Sequence, residues 1–485
     1  MPPAGTNKQY DTRKLVFLAA AIVVLIAITL IPLPTTPPSH AAPLTRSGKL
    51  ALAVLAFALV LWITETFPFH ITGFLAIGLL AIFRVDSFRS IVAVGFGNDV
   101  ALFMVGVLIL SAFVNQSGLG KRATLFLLAK IGNRTRVVVL GFLVVGAVFS
   151  MWLSNMAMAA ILMPLAREIL KEEGLKPLQS NFGKALLIAC GWGPSIGGIG
   201  TPAGAGPNPI AIGFLADLAG FRLSFPMWTL FGLPFCLALI VPAWLILILL
   251  FPPEQAVLSR SREEFRRDYA KLPPMGRSET ATVVIFLLTV VLWLSAGVLE
   301  RWLQIRIPIS MTVILTSSLF FIPSISGMRW RQIEKDMSWG SILLVLAGIS
   351  MGVTLHRSGA ASWLSQNLLG GLAHLHPILL IFLTVLLVSA LKVVLSSNSV
   401  SATITVPIMI SFALQGDLPI LQTVLPAAIT SSLSFILVTS APTNVITYAA
   451  GYYSIWDMAK AGILLTIVAA AIGALSIFGI HSLVM

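Results

Sequence analysis

Long apolar runs recur along this whole sequence, and they restrict its fold more than any other feature. Residues 15–33, 235–251 and 459–485 contain at most one charged residue each. A helix needs about 20 apolar residues to cross the hydrocarbon core of a bilayer, whereas the strands of a transmembrane barrel alternate in polarity. The unbroken runs therefore predict an all-α polytopic membrane protein with the lipid bilayer as its main solvent.

Composition and charge agree with that class of protein. Apolar residues make up 57% of the 485 residues and charged residues only 10%, against about 25% charged residues in soluble domains. The net charge of +13 fits the enrichment of Lys and Arg in cytoplasmic loops, and no basic run adjoins a platform of stacking aromatics, so we expect no nucleic-acid partner. Cys190 and Cys236 lie in apolar stretches and form no disulfide or metal pattern.

The apolar runs give about eleven candidate transmembrane helices and leave two regions over. The candidates are residues 15–33, 50–66, 69–83, 100–114, 184–215 with a break, 227–251, 280–299, 308–322, 341–355, 420–450 with a break, and 459–485. The two remaining regions, 136–166 and 376–414, each contain an apolar arm, a Ser-Asn pair and a second arm. At 1.5 Å per residue, second arms over 156–166 and 399–414 reach about 16 and 24 Å, less than a core about 30 Å thick. We therefore predict two re-entrant helical hairpins with Ser-Asn at their tips.

The distribution of Lys and Arg predicts the orientation in a plasma (inner) membrane. Most of these cations fall on one side when the N-terminus is cytoplasmic, both hairpins return to their own side, and the C-terminus is extracytoplasmic. The predicted domains are a scaffold (1–120 and 280–360), a transport domain (121–251 and 361–485) and a cytoplasmic linker (252–279).

The two halves repeat each other. Ser154-Asn155 and Pro164 recur 243 residues later as Ser397-Asn398 and Pro407, and Asn208 recurs 236 residues later as Asn444, in segments that both interrupt apolar runs. Gln116-Ser117-Gly118 recurs as Arg357-Ser358-Gly359. Because the hairpins open from opposite sides, the repeat is inverted, which is the architecture of secondary transporters with a central binding site.

The two tips and the two breaks should form that site. Broken helices expose free N–H groups that favour an anion and free carbonyls that favour a cation, and Ser and Asn oxygens can coordinate a hard cation such as sodium. No Asp, Glu or Arg occurs in these four segments. A bound dianion would therefore be neutralised by helix dipoles and by sodium bound with it.

These motifs resemble the divalent anion/sodium symporter family. The stretch from Ser150 through Ser154-Asn155-Met156 to Pro164 is similar to that family's first Ser-Asn-Thr hairpin, and residues 197–208 resemble its first helix break. Ser397-Asn398 and residues 442–444 resemble the second set. The resemblance covers about residues 45–485 and implies transport of citrate, a C4-dicarboxylate or a related anion by a homodimer with an elevator movement.

The resemblance also implies the site residues. The first sodium site would be formed by Ser150, Ser154, Asn155 and Gly204, and the second by Ser397, Asn398 and Ala441. Substrate would contact Ser154, Asn155, Met156, Ala205, Ser397, Asn398, Ser399, Pro442 and Thr443. Met156 and Ser399 stand where the family usually has Thr, and Ala205 stands where a hydroxyl is common, so the identity of the anion stays open.

Three alternatives remain open at this point. Lys392, close to the second tip, is either a fixed cation in place of a sodium ion or a side chain that snorkels or pairs locally. We expect sodium symport of a small dianion, and a sodium-independent dicarboxylate exchanger is the alternative. A distant third is an intramembrane hydrolase with Ser195 in a G-x-S-x-G pattern, although that motif belongs to a strand-turn-helix context, and we expect no enzyme.

Overall fold

The computed structural model describes residues 12–32, 44–259, 262–323 and 325–484, and within these ranges the chain is helical without a β-strand. The remaining residues of the predicted domains lie outside the described residues. They are 1–11 and 33–43 of the first scaffold part, 260–261 of the linker, 324 of the second scaffold part and 485.

Twenty-two α-helices form the described part of the chain. The first half contributes α1 (Thr12–Leu30), α2 (Arg46–Ile63), α3 (Phe69–Ile82), α4 (Phe88–Phe96), α5 (Val100–Gln116), α6 (Leu119–Ile131), α7 (Thr135–Ser150), α8 (Asn155–Glu172), α9 (Asn181–Gly197), α10 (Pro207–Ala219) and α11 (Phe225–Leu250). The second half contributes α12 (Arg262–Ala270), α13 (Arg277–Leu303), α14 (Ile309–Ser318), α15 (Trp330–Asp336), α16 (Trp339–Arg357), α17 (Ala360–Leu369), α18 (Pro377–Val394), α19 (Asn398–Gln415), α20 (Ile420–Thr430), α21 (Pro442–Tyr448) and α22 (Ile455–Val484).

Eight of these helices are long and apolar enough to cross a membrane, counted over the described residues. A ninth span arises if α4 and α5, which meet at a 40° bend, are taken together. The expected eleven spans do not each correspond to one long helix, because α3, α14 and α20 are shorter; α7, which belongs to the first predicted hairpin, is short as well. Two of the candidates are each divided by a break in the α-helix, α9 from α10 and α20 from α21, and the second break contains a 3₁₀ turn at Val438–Ser440.

The two Ser-Asn pairs lie where one helix ends and the next begins. In the first half, α7 ends at Ser150 and α8 begins at Asn155; in the second half, α18 ends at Val394 and α19 begins at Asn398. The expected length of the first returning arm was wrong, because α8 has 18 residues and continues beyond Ala166 into a charged turn that includes Arg167. The sequence estimate stopped at the last apolar residue, whereas helical hydrogen bonding continues through the charged turn.

Matching backbone details support the internal repeat. Gly118 and Gly359 both adopt the left-handed conformation, with φ values of 82° and 81°, and each precedes a short helix, α6 or α17. Ser154 and Ser397 both cap their helices by accepting a hydrogen bond from the backbone N–H three residues later. A side chain at either glycine would be strained, so the sequence pair reflects one backbone turn used twice.

Glycine lets α7 and α9 cross at short range beside the first tip. A Cβ built on Gly197 would lie 2.0 Å from the carbonyl oxygen of Ala147, and one built on Gly193 would lie 2.7 Å from that of Leu143. Small residues at a helix interface allow this close approach of backbones. The crossing positions the end of α9 directly beside the start of α8, which also packs on α9.

The helices around the tips pack in a related way in both halves. Helix α7 packs along α9, α18 packs along α20 and α22, and α11 packs on α22. Elsewhere α5 packs on α14, and α16 packs on α3 and α4. Helix α16 also contacts α10 and α19. It therefore lies against the helix that follows the first break and against the helix that begins at the second Ser-Asn pair.

Candidate functional site

The first tip is a polar turn at the start of α8. The Ser154 hydroxyl accepts a hydrogen bond from the backbone N–H of Ala157, and Asn155 lies within 2.5 Å of Ser150 Oγ. One terminal atom of the Asn155 amide also lies 3.1 Å from the carbonyl oxygens of Pro194 and Gly204. Three oxygens thus surround one end of the Asn155 side chain.

The first break, residues 198–206, is held by the buried amide of Asn208. Its Nδ2 donates to the carbonyl oxygens of Gly198 and Thr201, each at 2.7 Å. The hydroxyl of Thr201 donates in turn to the carbonyl oxygen of Met151 next to the first tip. Gly198 faces Asn155 closely, since a Cβ at Gly198 would lie 2.4 Å from Asn155 Oδ1. The break and the first tip are therefore one packed unit.

The second tip contains a buried ammonium group. Lys392, on the last turn of α18, is 2% exposed, and its Nζ donates to Asn398 Oδ1 at 2.8 Å. Three more oxygens lie within hydrogen-bond distance of Nζ, namely Ser431 O and Leu433 O at 2.8 Å and Ser434 Oγ at 2.6 Å. Lys392 therefore does not snorkel to a membrane surface.

The second break, residues 431–441, repeats the arrangement of the first. Asn444 Nδ2 donates to Ser434 O at 2.8 Å and to Leu437 O at 3.3 Å. The adjacent Thr443 hydroxyl is buried and has no hydrogen-bond partner among the described residues. Since buried polar groups are rarely left unpaired, this hydroxyl is a candidate contact for a bound molecule.

Ser432 joins the two halves of the site. Its hydroxyl donates to Asn208 Oδ1 at 3.3 Å, and its carbonyl oxygen accepts from Asn398 Nδ2 at 3.4 Å. Continuous contacts therefore run from Asn155 through Gly198, Asn208 and Ser432 to Asn398. Both Ser-Asn tips therefore belong to one polar cluster.

The other expected site residues are distributed around this cluster. Ser399 lies against the first break, because a Cβ on Gly206 would lie 2.7 Å from Ser399 Oγ. Ala205 is partly buried and Ala441 is buried, while Pro442 begins α21 and is exposed. Met156 lies in the first turn of α8, and its side chain is 42% exposed.

Sequence reasoning missed the hydroxyl-rich segment Ser431-Ser432-Leu433-Ser434. It supplies three of the four oxygens around Lys392 Nζ and the link between the halves. The signal was present, because three serines in four residues interrupt an otherwise apolar run. An offset of 236 residues also aligns this segment with residues 195–198, at the end of α9.

Ser195 has no hydrolase environment. It lies within α9, its side chain is fully buried, and its hydroxyl donates to Gly191 O at 3.0 Å within the same helix. A nucleophile elbow requires a strand-to-turn-to-helix junction, and the described ranges contain no strand. The nucleophile interpretation of Ser195 is therefore wrong.

The sequence matches a family described as the sodium:sulfate symporter transmembrane region, over residues 12–483. A sodium-dependent dicarboxylate transporter, SdcS, of Staphylococcus saprophyticus is 28% identical over 474 residues, covering 94% of this chain and 89% of that protein. The SdcS of Staphylococcus aureus is also 28% identical, over 98% of this chain and 94% of its own length.

Two solved structures share the fold. The YdaH transporter of Alcanivorax borkumensis superposes with a TM-score of 0.55 at 14% identity, covering 96% of this chain and 98% of its own. MtrF of Neisseria gonorrhoeae, from a class of antimetabolite efflux pumps, gives 0.53 at 14% identity over 96% and 94% of the two chains. At this identity the likeness concerns the helical architecture alone.

Proposed function

The chain belongs to the sodium:sulfate symporter family of sodium-coupled transporters, and from that premise we propose that it moves a C4-dicarboxylate together with sodium. It is a multi-pass membrane transporter and not an enzyme. The observation that carries the finer proposal is the continuous polar cluster between Asn155 and Asn398, at which broken helices begin and end. The names of the SdcS relatives support a dicarboxylate and sodium dependence.

The substrate would be an anion, because helix N-termini face the cluster. Helices α8, α10 and α19 begin at Asn155, Pro207 and Asn398, which belong to or border the cluster. A helix N-terminus carries about half a positive charge and free N–H groups, and such ends bind carboxylates readily. The buried Thr443 hydroxyl adds a neutral donor. A dicarboxylate would thus be held by dipoles and hydroxyls without an arginine.

The oxygen atoms around the Asn155 amide make the first tip suitable for sodium. If the Asn155 amide presents its nitrogen to Ser150, Pro194 and Gly204, it donates three hydrogen bonds. If it presents its oxygen, the Ser150 hydroxyl can donate to that oxygen, but the Pro194 and Gly204 carbonyl oxygens face it without a donor. A hard ion such as sodium would then compensate this group of oxygens. We propose that sodium binding selects the second orientation and thereby fixes the tip for substrate.

Charge compensation explains why the two solutes would travel together. Moving an uncompensated dianion through a region of low dielectric constant is strongly unfavourable, and a co-bound cation reduces that cost. Sodium at the first tip would organise Asn155 and Gly204 first, and the dianion would then bind to a preformed site. The binding energy of each ion would therefore increase the affinity for the other.

The remaining parts of the proposal concern movement and topology. The hairpins would enter the bilayer from opposite faces of a plasma membrane, with a cytoplasmic N-terminus and linker 252–279. The transport domain (121–251 and 361–485) would move as an elevator against the scaffold (1–120 and 280–360) of a homodimer. Support comes from the inverted sequence repeat and from the family, whose members are sodium-coupled carriers.

The test is uptake by purified protein in proteoliposomes. Radiolabelled succinate, malate, citrate and sulfate would be offered with and without an inward sodium gradient. The proposal predicts uptake of succinate or malate that requires sodium outside. Sodium-independent uptake that instead requires dicarboxylate inside would establish the exchanger, and the absence of uptake of all four anions would overturn the proposed function.

A further inference from the structure

We infer that the Lys392 ammonium is a built-in cation in the second ion site, so that one sodium, bound at the first tip, accompanies each dianion. The inference rests on the proposed function and concerns its ion coupling. It begins from the buried position of Lys392 and from the four oxygens around its Nζ.

The hydrogen bonds of Lys392 require the charged form. Asn398 Oδ1, Ser431 O and Leu433 O can only accept hydrogen bonds, and all three lie 2.8 Å from Nζ. A neutral amine has two N–H donors, whereas an ammonium has three. The three acceptors therefore specify an ammonium ion in the interior.

No carboxylate forms an ion pair with Lys392 in the part of the chain that the structure describes. Two ion pairs, Arg122 with Glu279 and Lys184 with Asp457, lie elsewhere. Charges buried in a membrane interior are costly and usually functional. The partial charges of carbonyls at the end of α20 stabilise Lys392 only in part, so an anion in the adjoining cluster would complete its neutralisation.

The first half of the repeat has no charged side chain at the position that corresponds to Lys392. Asn398 is the counterpart of Asn155, and both amides face a group of oxygens at the end of a broken helix. The counterpart of Lys392 in the first half is Phe149, which contributes no charge. Apart from the two asparagines, the oxygens come from different positions of the repeat, because Ser431, Leu433 and Ser434 align with residues 195, 197 and 198 and not with Pro194 and Gly204. The second tip therefore holds a fixed cation at its asparagine, and we infer that a mobile cation binds at the asparagine of the first.

A fixed cation makes the return of the carrier sensitive to voltage. With one sodium and one ammonium, the complex with a dianion is neutral, but the carrier without ions returns with one positive charge. A potential that is negative inside opposes that outward return, by about tenfold or more at 100 mV for a charge that crosses the whole field. Dicarboxylate exchange, in which the carrier returns loaded, avoids the charged step.

Transport kinetics of the wild type and of Lys392→Ala test the inference. For wild type we expect a Hill coefficient for sodium near one, net succinate uptake that is inhibited by an inside-negative potassium diffusion potential, and succinate exchange that the potential does not change. In Lys392→Ala, the oxygens that held Nζ become available to sodium, so the Hill coefficient should rise towards two and the inhibition by potential should disappear.

The outcomes separate this inference from the proposed function. Lys460→Ala removes an exposed lysine of α22 and should behave as wild type. In the wild type, a Hill coefficient near two with uptake that the potential leaves unaffected or stimulates would overturn the role of Lys392. Sodium-coupled transport would then remain intact. Because this outcome is measured on the wild type, it does not depend on how the variant folds. Unchanged coefficients and voltage dependence in Lys392→Ala would overturn the role of Lys392 as well. The absence of any sodium-stimulated uptake by the wild-type protein would instead contradict the proposed function.

Discussion

Asn208 and Asn444 form the same two hydrogen bonds in the two halves of the chain. Each amide nitrogen donates to the carbonyl oxygens ten and seven residues upstream, Gly198 and Thr201 for one and Ser434 and Leu437 for the other. Each amide thereby holds closed a loop that interrupts a helix inside an apolar region. Unsatisfied carbonyls at that depth would be costly, so the asparagines stabilise breaks that a membrane helix would otherwise avoid.

Removing either amide should destabilise the protein. Asn208→Ala or Asn444→Ala leaves two buried carbonyls without donors, and we expect a loss of about 2 kcal/mol or more of folding free energy. The measurement is the thermal unfolding midpoint in detergent. Asn367→Ala is the matched control, because Asn367 also donates to a carbonyl oxygen but lies at the surface. Equal midpoints for Asn208→Ala and Asn367→Ala would contradict this role.

A methyl group at the α7–α9 crossing should disturb the first tip. In Gly197→Ala the new Cβ meets the Ala147 carbonyl oxygen, so the helices must separate and Gly198 must move relative to Asn155. We expect sodium-dependent uptake to fall about tenfold or more, in line with the cost of overpacking a rigid core. Gly479→Ala, where a Cβ meets nothing within 4 Å, should keep wild-type uptake; equal activity of both variants would disprove the close crossing.

The Ser150 hydroxyl should set the sodium affinity of the first site. Ser150→Ala removes one of the oxygens around Asn155, and we expect the sodium concentration for half-maximal uptake to rise about tenfold, the effect of one lost charge-assisted contact. Maximal uptake at saturating sodium should change less. Ser195→Ala is the control, because that hydroxyl bonds only within its own helix. A sodium requirement that is the same in Ser150→Ala and wild type would place the ion elsewhere.

A contact between the second tip and α2 offers a test of the elevator movement. The hydroxyl of Ser396 donates to Glu65 Oε1 at 2.5 Å, at the end of α2. If the hairpin moves past that helix, tethering the two positions must stop transport. The native cysteines, Cys190 and Cys236, are both buried, so a double variant with Glu65→Cys and Ser396→Cys can be linked by a short bifunctional thiol reagent.

We expect the linked protein to lose uptake and to recover it when a cleavable linker is reduced. Each single cysteine variant treated with the same reagent is the control. Full uptake by the quantitatively linked protein would show that α2 and the second tip move together, and the proposed division into scaffold and transport domains would then need revision.

The all-helical membrane class and the internal repeat could be predicted from the sequence, because they follow from residue type and spacing. The involvement of both Ser-Asn pairs in binding stays a prediction. The sequence did not predict the bend between α4 and α5 or the true length of α8. Those features depend on how helices pack and on hydrogen bonds that continue through charged turns. The environment of Lys392 was also beyond the sequence, since two of its four oxygens belong to backbone carbonyls, which every residue has.

The central claim is that sodium and a dicarboxylate bind to one cluster that includes Asn155. Binding of succinate to detergent-purified protein, measured by titration calorimetry over a range of sodium concentrations, tests it most directly. Linkage predicts that sodium lowers the dissociation constant for succinate in wild type and in Lys460→Ala, but not in Asn155→Ala. A succinate affinity that does not depend on sodium, or that keeps its full sodium dependence in Asn155→Ala, would contradict the claim.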